Sequence, residues 1–302
     1  METQANSAAQ TVTKANAPTL LITGATGTIG QAITKLLSER GIPFRAMVRS
    51  RQKADQLAAL PGTELVEGDF NDPASLAQAL AGIERAFLLT NSSEQAEAQQ
   101  LAFVTEAKRA GVPHIVKLSQ FAAAADSPVR FLRYHAVVEQ TICESGITYT
   151  FLRPNLFMQG LLGFRQPIVE QGKFFAAIGD AKISAIDIRD IAAVAVAALT
   201  EKGHDNKTYT LTGPEALTHA EMAEQLSTAL SRHITFVDVP PEAMHDALIV
   251  ADFPEWQAEA LLEDYAHYSR NEASAVTTDV QDVTGKPART FIDFARDYAP
   301  AF

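Results

Sequence analysis

The stretch Leu20-Leu21-Ile22-Thr23-Gly24-Ala25-Thr26-Gly27-Thr28-Ile29-Gly30 decides the fold. An apolar run breaks into three glycines and then turns periodic, with Ile29, Ala32, Ile33, Leu36 and Leu37 on one face of a helix that Gly41 ends. Strand, glycine turn and helix follow one another without a spare residue. In such a unit Gly24 permits the tight turn, Gly27 lets backbone N–H groups approach a pyrophosphate, and Gly30 lets helix and strand pack closely. The helix N-terminus then offers free N–H groups and its positive dipole end to an anion, with Thr26, Thr28 and Ile29 beside it. Glycine-rich turns also end strands for steric reasons alone. A strand before and a helix after favour the nucleotide reading.

The chain has 302 residues, 47% of them hydrophobic and 20% charged, enough for one large domain or a large one with a smaller partner. A net charge of -11 argues against general affinity for nucleic acid or anionic membranes, and no apolar stretch reaches the length of a membrane span. The single cysteine, Cys143, allows no disulfide framework, fits a reducing, cytoplasmic setting, and is expected as a small buried residue. Residues 1–18 are rich in Ala, Gln, Asn, Ser and Thr, lack the apolar core of a secretory signal, and read as a disordered tail.

Beyond the first helix, residues 43–48 read as a second strand, followed by Arg49, Arg51 and Lys53 with no acid before Asp55. An acid there would bind the ribose 2′-OH of NAD, whereas arginine accommodates the 2′-phosphate of NADP, so this cluster on an acidic chain predicts NADP(H) over NAD(H). The alternative is a solvated turn before a short helix over 53–60. Residues 64–67 form the third strand, and Asp72 or Asn71 caps a helix that Pro73 starts. A fourth strand over 85–89, a helix over 93–110 and a fifth strand over 114–119 complete an alternation that predicts a parallel doubly wound sheet. Ligands in such sheets bind outside the carboxyl ends of the strands, where Thr26, Asp69, Thr90 and Ser119 all fall. Lys117 and Ser119 share a strand face, with Lys117 expected at the surface.

The Thr-Gly-Ala-Thr-Gly-x-Ile-Gly string resembles the extended and atypical short-chain dehydrogenase/reductases. Tyr134-His135 followed by Glu139, then Ser145-Gly146-Ile147-Thr148-Tyr149-Thr150-Phe151-Leu152-Arg153-Pro154-Asn155 with Phe157-Met158, resembles the NmrA-like members more specifically, and residues 284–291 are similar to the segment before their last helix. The resemblance spans about residues 18–302. It implies that Gly68-Asp69, with Phe70 next to it, contacts adenine, that Leu89, Thr90 and Asn91 border pyrophosphate and ribose, and that Pro154 and Asn155 close over the nicotinamide. The family includes quinone, triphenylmethane-dye and azo-dye reductases as well as redox-sensing regulators.

Reductases of alcohols and ketones place a Tyr-x-x-x-Lys pair in the helix over 131–139. Counted from Tyr134 the lysine position holds Val138; counted from Glu139 the two positions hold Phe131 and His135. The pair is missing in either register. Quinone, azo and cationic-dye acceptors spread the incoming charge and take a proton from water, so such a reductase depends on orienting the nicotinamide more than on a tuned acid. His135 is the candidate donor or ribose-binding group; a histidine held by its neighbours on a half-buried helix is the alternative. Tyr134 is expected about 100° around the helix from it, so that the two do not share one substrate atom. Tyr134, Asn155 and Phe157 are substrate-side candidates, with Met158, Leu161, Leu162 and Phe164 as apolar lid or core.

In the second half, residues 183–186, 207–212 and 234–239 read as strands, and Thr218-His219-Ala220-Glu221 as a capping box. Asp187 and Asp190 suit a helix start better than a metal site. Helices are expected near 254–270 and 287–298, and the aromatic stretch Phe253, Trp256, Tyr265, His267 and Tyr268 either packs a small lobe or lines the cleft. His219, His233, His245 and His267 show no ligand spacing, so no metal is expected.

The expected architecture is α/β: a Rossmann-type core over 19–155, then a smaller interwoven α/β lobe over 156–302 that also supplies the remaining sheet elements. The expected activity is NAD(P)H-dependent hydride transfer to a small aromatic or conjugated acceptor. A non-catalytic NADP-binding sensor acting on a protein partner is the alternative, and a second copy of the chain is left open as a partner.

Overall fold

In the structure, a computed structural model describing residues 17–302, the quoted stretch forms β1 (Leu20–Ile22), a turn, and α1 (Thr28–Glu39). There follow β2 (Phe44–Val48), α2 (Asp55–Ala58), β3 (Thr63–Glu67), α3 (Pro73–Leu80), β4 (Arg85–Leu88), α4 (Ala96–Arg109), β5 (His114–Leu118), α5 (Arg130–Ser145) and β6 (Thr148–Pro154). Then come α6 (Arg165–Gln171), β7 (Lys173–Ala176), α7 (Ile188–Thr200), β8 (Lys207–Leu211), α8 (His219–Leu230) and β9 (Thr235–Asp238). Four helices finish the chain: α9 (Pro241–Val250), α10 (Glu255–Ser269), α11 (Asp279–Thr284) and α12 (Phe291–Asp297). The tail expected over residues 1–18 lies almost wholly outside the described residues.

Seven strands pair in the order β3-β2-β1-β4-β5-β6-β8, every pair parallel. β1 and β5 are buried along their whole length, and β4 from Ala86 on, because helices cover both faces. One face carries α1 against α7, with Ile33, Leu37, Ile191 and Val194 fully buried; the other carries α3, α4 and α5, with Leu76, Phe103 and Ile142 fully buried. Each such side chain contributes about 1.5–3 kcal/mol by leaving water. Chain order reverses between β1 and β4, whose following helices α1 and α4 go to opposite faces of the sheet and leave a crevice at the strand ends.

A second, two-stranded parallel sheet pairs β7 with β9 and packs with α8 and α12 around Phe174, Leu226, Phe291 and Phe294. Residues 183–186 do not form the expected strand. They make two isolated bridges, Phe157 to Ile186 and Ile183 to Leu217. Ser184 donates to Ala273 O at 3.1 Å and Ile186 to Leu156 O at 2.8 Å, so no single neighbour continues a ladder along this buried run. The last helix begins at Phe291, later than expected, because Thr290 caps it; α6, β7, α9 and α11 have no counterpart in the sequence reading. Asp187 caps α7, Asp72 caps α3, and Thr218 with Glu221 closes a capping box on α8. Cys143 is exposed, against expectation, because α5 buries Val138 and Ile142 and the next residue turns outward.

Candidate functional site

Gly24 adopts φ +60°, and Gly27 N–H closes the turn on Gly24 O at 3.0 Å. A Cβ on Gly30 would stand 2.2 Å from Gly24 O, so only glycine lets the helix start this close to the turn. Thr23 Oγ1 donates to Phe87 O and accepts from Leu89 N–H, each at 2.9 Å, which ties the ends of β1 and β4 together. The first intrahelical bond of α1 runs from Gln31 N–H to Gly27 O at 2.8 Å, and Gly27 brings no side chain to cap the earlier N–H groups. Those groups are left for an anion.

Two confluent grooves, of about 480 and 330 Å3, open over this turn. They share Gly24, Thr26, Arg49, Leu89, Thr90 and Asn91. Gly27, Thr28 and Ile29 line the first; Gly68, Asp69 and Phe70 line the second. Arg49 thus stands between the helix end and the Asp69 side. Arg51 lines neither groove: it sits exposed in a 3-10 turn over Arg51–Lys53, its N–H bonded to Glu67 Oε1 at 3.2 Å. The glycine cradle and uncapped helix end fit a dinucleotide diphosphate, and the strand-end rim fits its two nucleosides.

A third cleft, of about 320 Å3, continues past Ile29, Leu89, Thr90 and Phe157 into the space between the sheet and α10. Ser119, Tyr134, His135, Pro154 and Asn155 line it, as do Gln120, Asp264 and Tyr268. Tyr134 and His135, neighbours on α5, both reach it with ring centroids 4.2 Å apart, contrary to the separation expected around a helix. Burial pushes the Tyr134 hydroxyl up to about 12 and holds the His135 imidazole well below its usual range, so His135 is neutral.

Lys117 is not at the surface. It is fully buried, Nζ 2.7 Å from His135 Nδ1 and 3.1 Å from Leu118 O, and burial lowers its ammonium to about 7. β5 lies between β4 and β6 with helices on both faces, so a lysine on it has no route to water. Ser119 Oγ donates to Glu139 Oε1 at 2.5 Å, and Glu139 is paired with Arg153, which reaches it from β6.

Asn155 is buried, its amide donating to Ser184 Oγ and Ala273 O at 2.8 Å each, so it fastens the lobe to the sheet while bordering the cleft. The aromatic stretch splits in two. Trp256 packs on Phe131 and takes Arg130 over its ring, while Tyr268 lines the cleft and donates to Asp264 Oδ2 at 2.9 Å. Gln120 Nε2 meets both Asp264 oxygens at 2.9–3.0 Å, and burial raises that carboxyl to about 6. Lys117, Gln120 and Asp264 are absent from the sequence candidates. For Lys117 the signal was available, since a lysine on a central parallel strand must be buried; for Asp264 it was not, since its partner lies 144 residues away. Asp190 pairs with Arg289, a fastening of the chain's last segment, and among the described residues no His, Cys, Asp and Glu cluster has metal-binding geometry.

Fold and grooves together define a nicotinamide-dinucleotide-dependent reductase of the short-chain dehydrogenase type. The chain belongs to the NmrA-like family, whose model matches residues 16–290. An NAD(P)H azoreductase of Xenophilus azovorans is 42% identical over 283 residues, 94% of this chain and 99% of that protein. A (4-alkanoyl-5-oxo-2,5-dihydrofuran-3-yl)methyl phosphate reductase of Streptomyces griseus subsp. griseus is 37% identical over 94% of this chain and 99% of its own. The Citrobacter sp. triphenylmethane reductase complexed with NADP(H) superimposes with a TM-score of 0.83 at 29% identity, covering 93% of this chain and 99% of that one.

Proposed function

We propose that this protein binds NADPH in preference to NADH and passes its hydride to an azo, quinone or dye-like conjugated acceptor held between α5 and α10. The observation that carries the reading is the continuity of the three cavities, from the Asp69 rim over the glycine turn to a cleft walled by Tyr134, Phe131, Phe157 and Leu261. The similarity to an azoreductase and to a triphenylmethane reductase supports the same acceptor class.

When bound, the reduced nicotinamide supplies a hydride. The N-terminus of α1 would hold the diphosphate, and Arg49, which lines both grooves, would meet the 2′-phosphate. Asp69 and Phe70 border the adenosine, and Thr90, held by Gln100 at 2.8 Å, borders the inner ribose. Pro154 and Phe157 line the cleft where the nicotinamide would sit, and would orient a flat acceptor against it. No Tyr-x-x-x-Lys pair occupies α5, so the proton, where the acceptor needs one, comes from another group.

Steady-state oxidation of NADPH with an azo dye, a quinone and a cationic triphenylmethane dye tests the proposal. Turnover with at least one of them, faster with NADPH than with NADH, is expected. Tight cofactor binding with no turnover would instead support the non-catalytic sensor.

A further inference from the structure

We infer that Lys117 and His135 form a two-step proton relay that ends in the cleft, with His135 as the donor to the reduced acceptor and Lys117 as the residue that sets which imidazole nitrogen carries the proton. The inference rests on the proposed hydride transfer for its use in turnover, but its geometry stands without it. Lys117 Nζ is 2.7 Å from His135 Nδ1, and among the described residues its only other hydrogen-bond partner is Leu118 O. The His135 ring lines the cleft and its Nδ1 is taken by Lys117, so Nε2 is the nitrogen left to meet an acceptor. β5, an interior strand of the sheet, thus presents a lysine to the inner nitrogen of a ring that lines the cleft.

The protonation state of Lys117 then decides the chemistry. As an ammonium it donates to Nδ1, and the neutral ring must carry its proton on Nε2, where it points into the cleft. As a neutral amine it can accept from Nδ1–H, which leaves Nε2 a bare lone pair. Burial brings this change into the neutral range, at about 7. Glu139 on α5 favours the ammonium; Arg153 on β6 opposes it. On the cleft side the ring packs on Tyr134, and Asp264 and Tyr268 of α10 line the same cleft.

An azo or quinone acceptor that has gained a hydride, and with it two electrons, carries an anionic nitrogen or oxygen. The Nε2–H bond breaks and an N–H or O–H bond forms on that atom. One Lys117 N–H bond breaks as Nδ1–H forms, so the ring stays neutral and the lysine becomes an amine. After product leaves, a proton from water enters at Nε2 and the ring returns its inner proton to Lys117. A cationic triphenylmethane acceptor becomes neutral on taking a hydride and requires no proton.

Two readouts test this. In nitrogen-15 spectra of the full chain without cofactor, with His135 identified by His135→Gln, the ring should change from the Nε2–H to the Nδ1–H form between about pH 5.5 and pH 9. Lys117→Met should abolish the change, and Lys117→Arg, permanently charged, should hold the Nε2–H form throughout. A wild-type ring that keeps one form across the range, or the same titration in Lys117→Met, overturns the relay whether or not the protein is a reductase. In turnover, Lys117→Met should lose about 100-fold in kcat with the azo or quinone acceptor and little with the cationic dye, with KM unchanged. Equal losses on both acceptor types would mean that Lys117 only supports the fold.

Discussion

Gly30→Ala separates cofactor binding from folding most sharply. The new methyl would lie 2.2 Å from Gly24 O and 2.7 Å from Ala25 Cα, both backbone atoms that cannot swing aside. The turn must open by about 1 Å, and such overpacking costs about 1–3 kcal/mol. In the folded protein the strain falls on the segment that aims N–H groups at the diphosphate, so NADPH affinity should drop about 10- to 100-fold, at about 1.4 kcal/mol for each factor of ten. Gly41→Ala is the control. Gly41 has φ +66° and nothing within 4 Å of a would-be Cβ, so alanine there should lower stability by about 1 kcal/mol without touching the groove. Calorimetric titration with NADPH, on samples shown by thermal melting to be folded, reads both variants. A folded Gly30→Ala protein with wild-type affinity, or an equal loss in Gly41→Ala, would refute the reasoning.

Arg49 borders both dinucleotide grooves and Arg51 neither, so Arg49→Ala should shrink the NADPH-to-NADH affinity ratio about tenfold and Arg51→Ala should leave it alone, as fluorescence titration with each cofactor would read. Asp264 has its carboxyl raised to about 6 by burial, so the native state binds more protons than the unfolded one above the ordinary carboxylate range. Its contribution to stability is therefore present at low pH and lost as pH rises through about 6; urea melts at pH 5 and pH 7 should show a drop of about 1 kcal/mol that Asp264→Asn removes. Lys117 has the opposite sign. Its lowered ammonium means the unfolded chain holds the extra proton above about pH 7, so the stability of wild type relative to Lys117→Met should rise from pH 7 toward pH 10.

Beyond the strand–helix alternation that gives the parallel sheet, what the sequence makes legible is local. The β1 turn, the Asp72 and Asp187 caps and the Thr218–Glu221 box are chemistry between residues a few positions apart, and the structure holds them as expected. The apolar run at 183–186 misleads because burial alone does not make a strand; a ladder needs one neighbour throughout, and this run bonds in turn to Leu217, Ala273, Gly213 and Leu156. Lys117 was expected at the surface because lysines usually are, and only its place between β4 and β6 buries it. The cleft's far wall was illegible for a different reason. Arg130 grips Glu263 and Glu259 across more than 120 residues, and that clamp, not any motif, holds α10 with Asp264 and Tyr268 at the cleft that His135 lines.

The central claim is that the glycine turn presents a nicotinamide to an acceptor between α5 and α10. Single-turnover mixing of the NADPH-loaded protein with an azo dye tests it most directly. The account predicts that reduced nicotinamide and dye absorbance decay together, and more slowly when the transferred hydrogen at C4 is deuterium. Loaded protein whose NADPH absorbance stays constant with azo, quinone and cationic dye alike would contradict it.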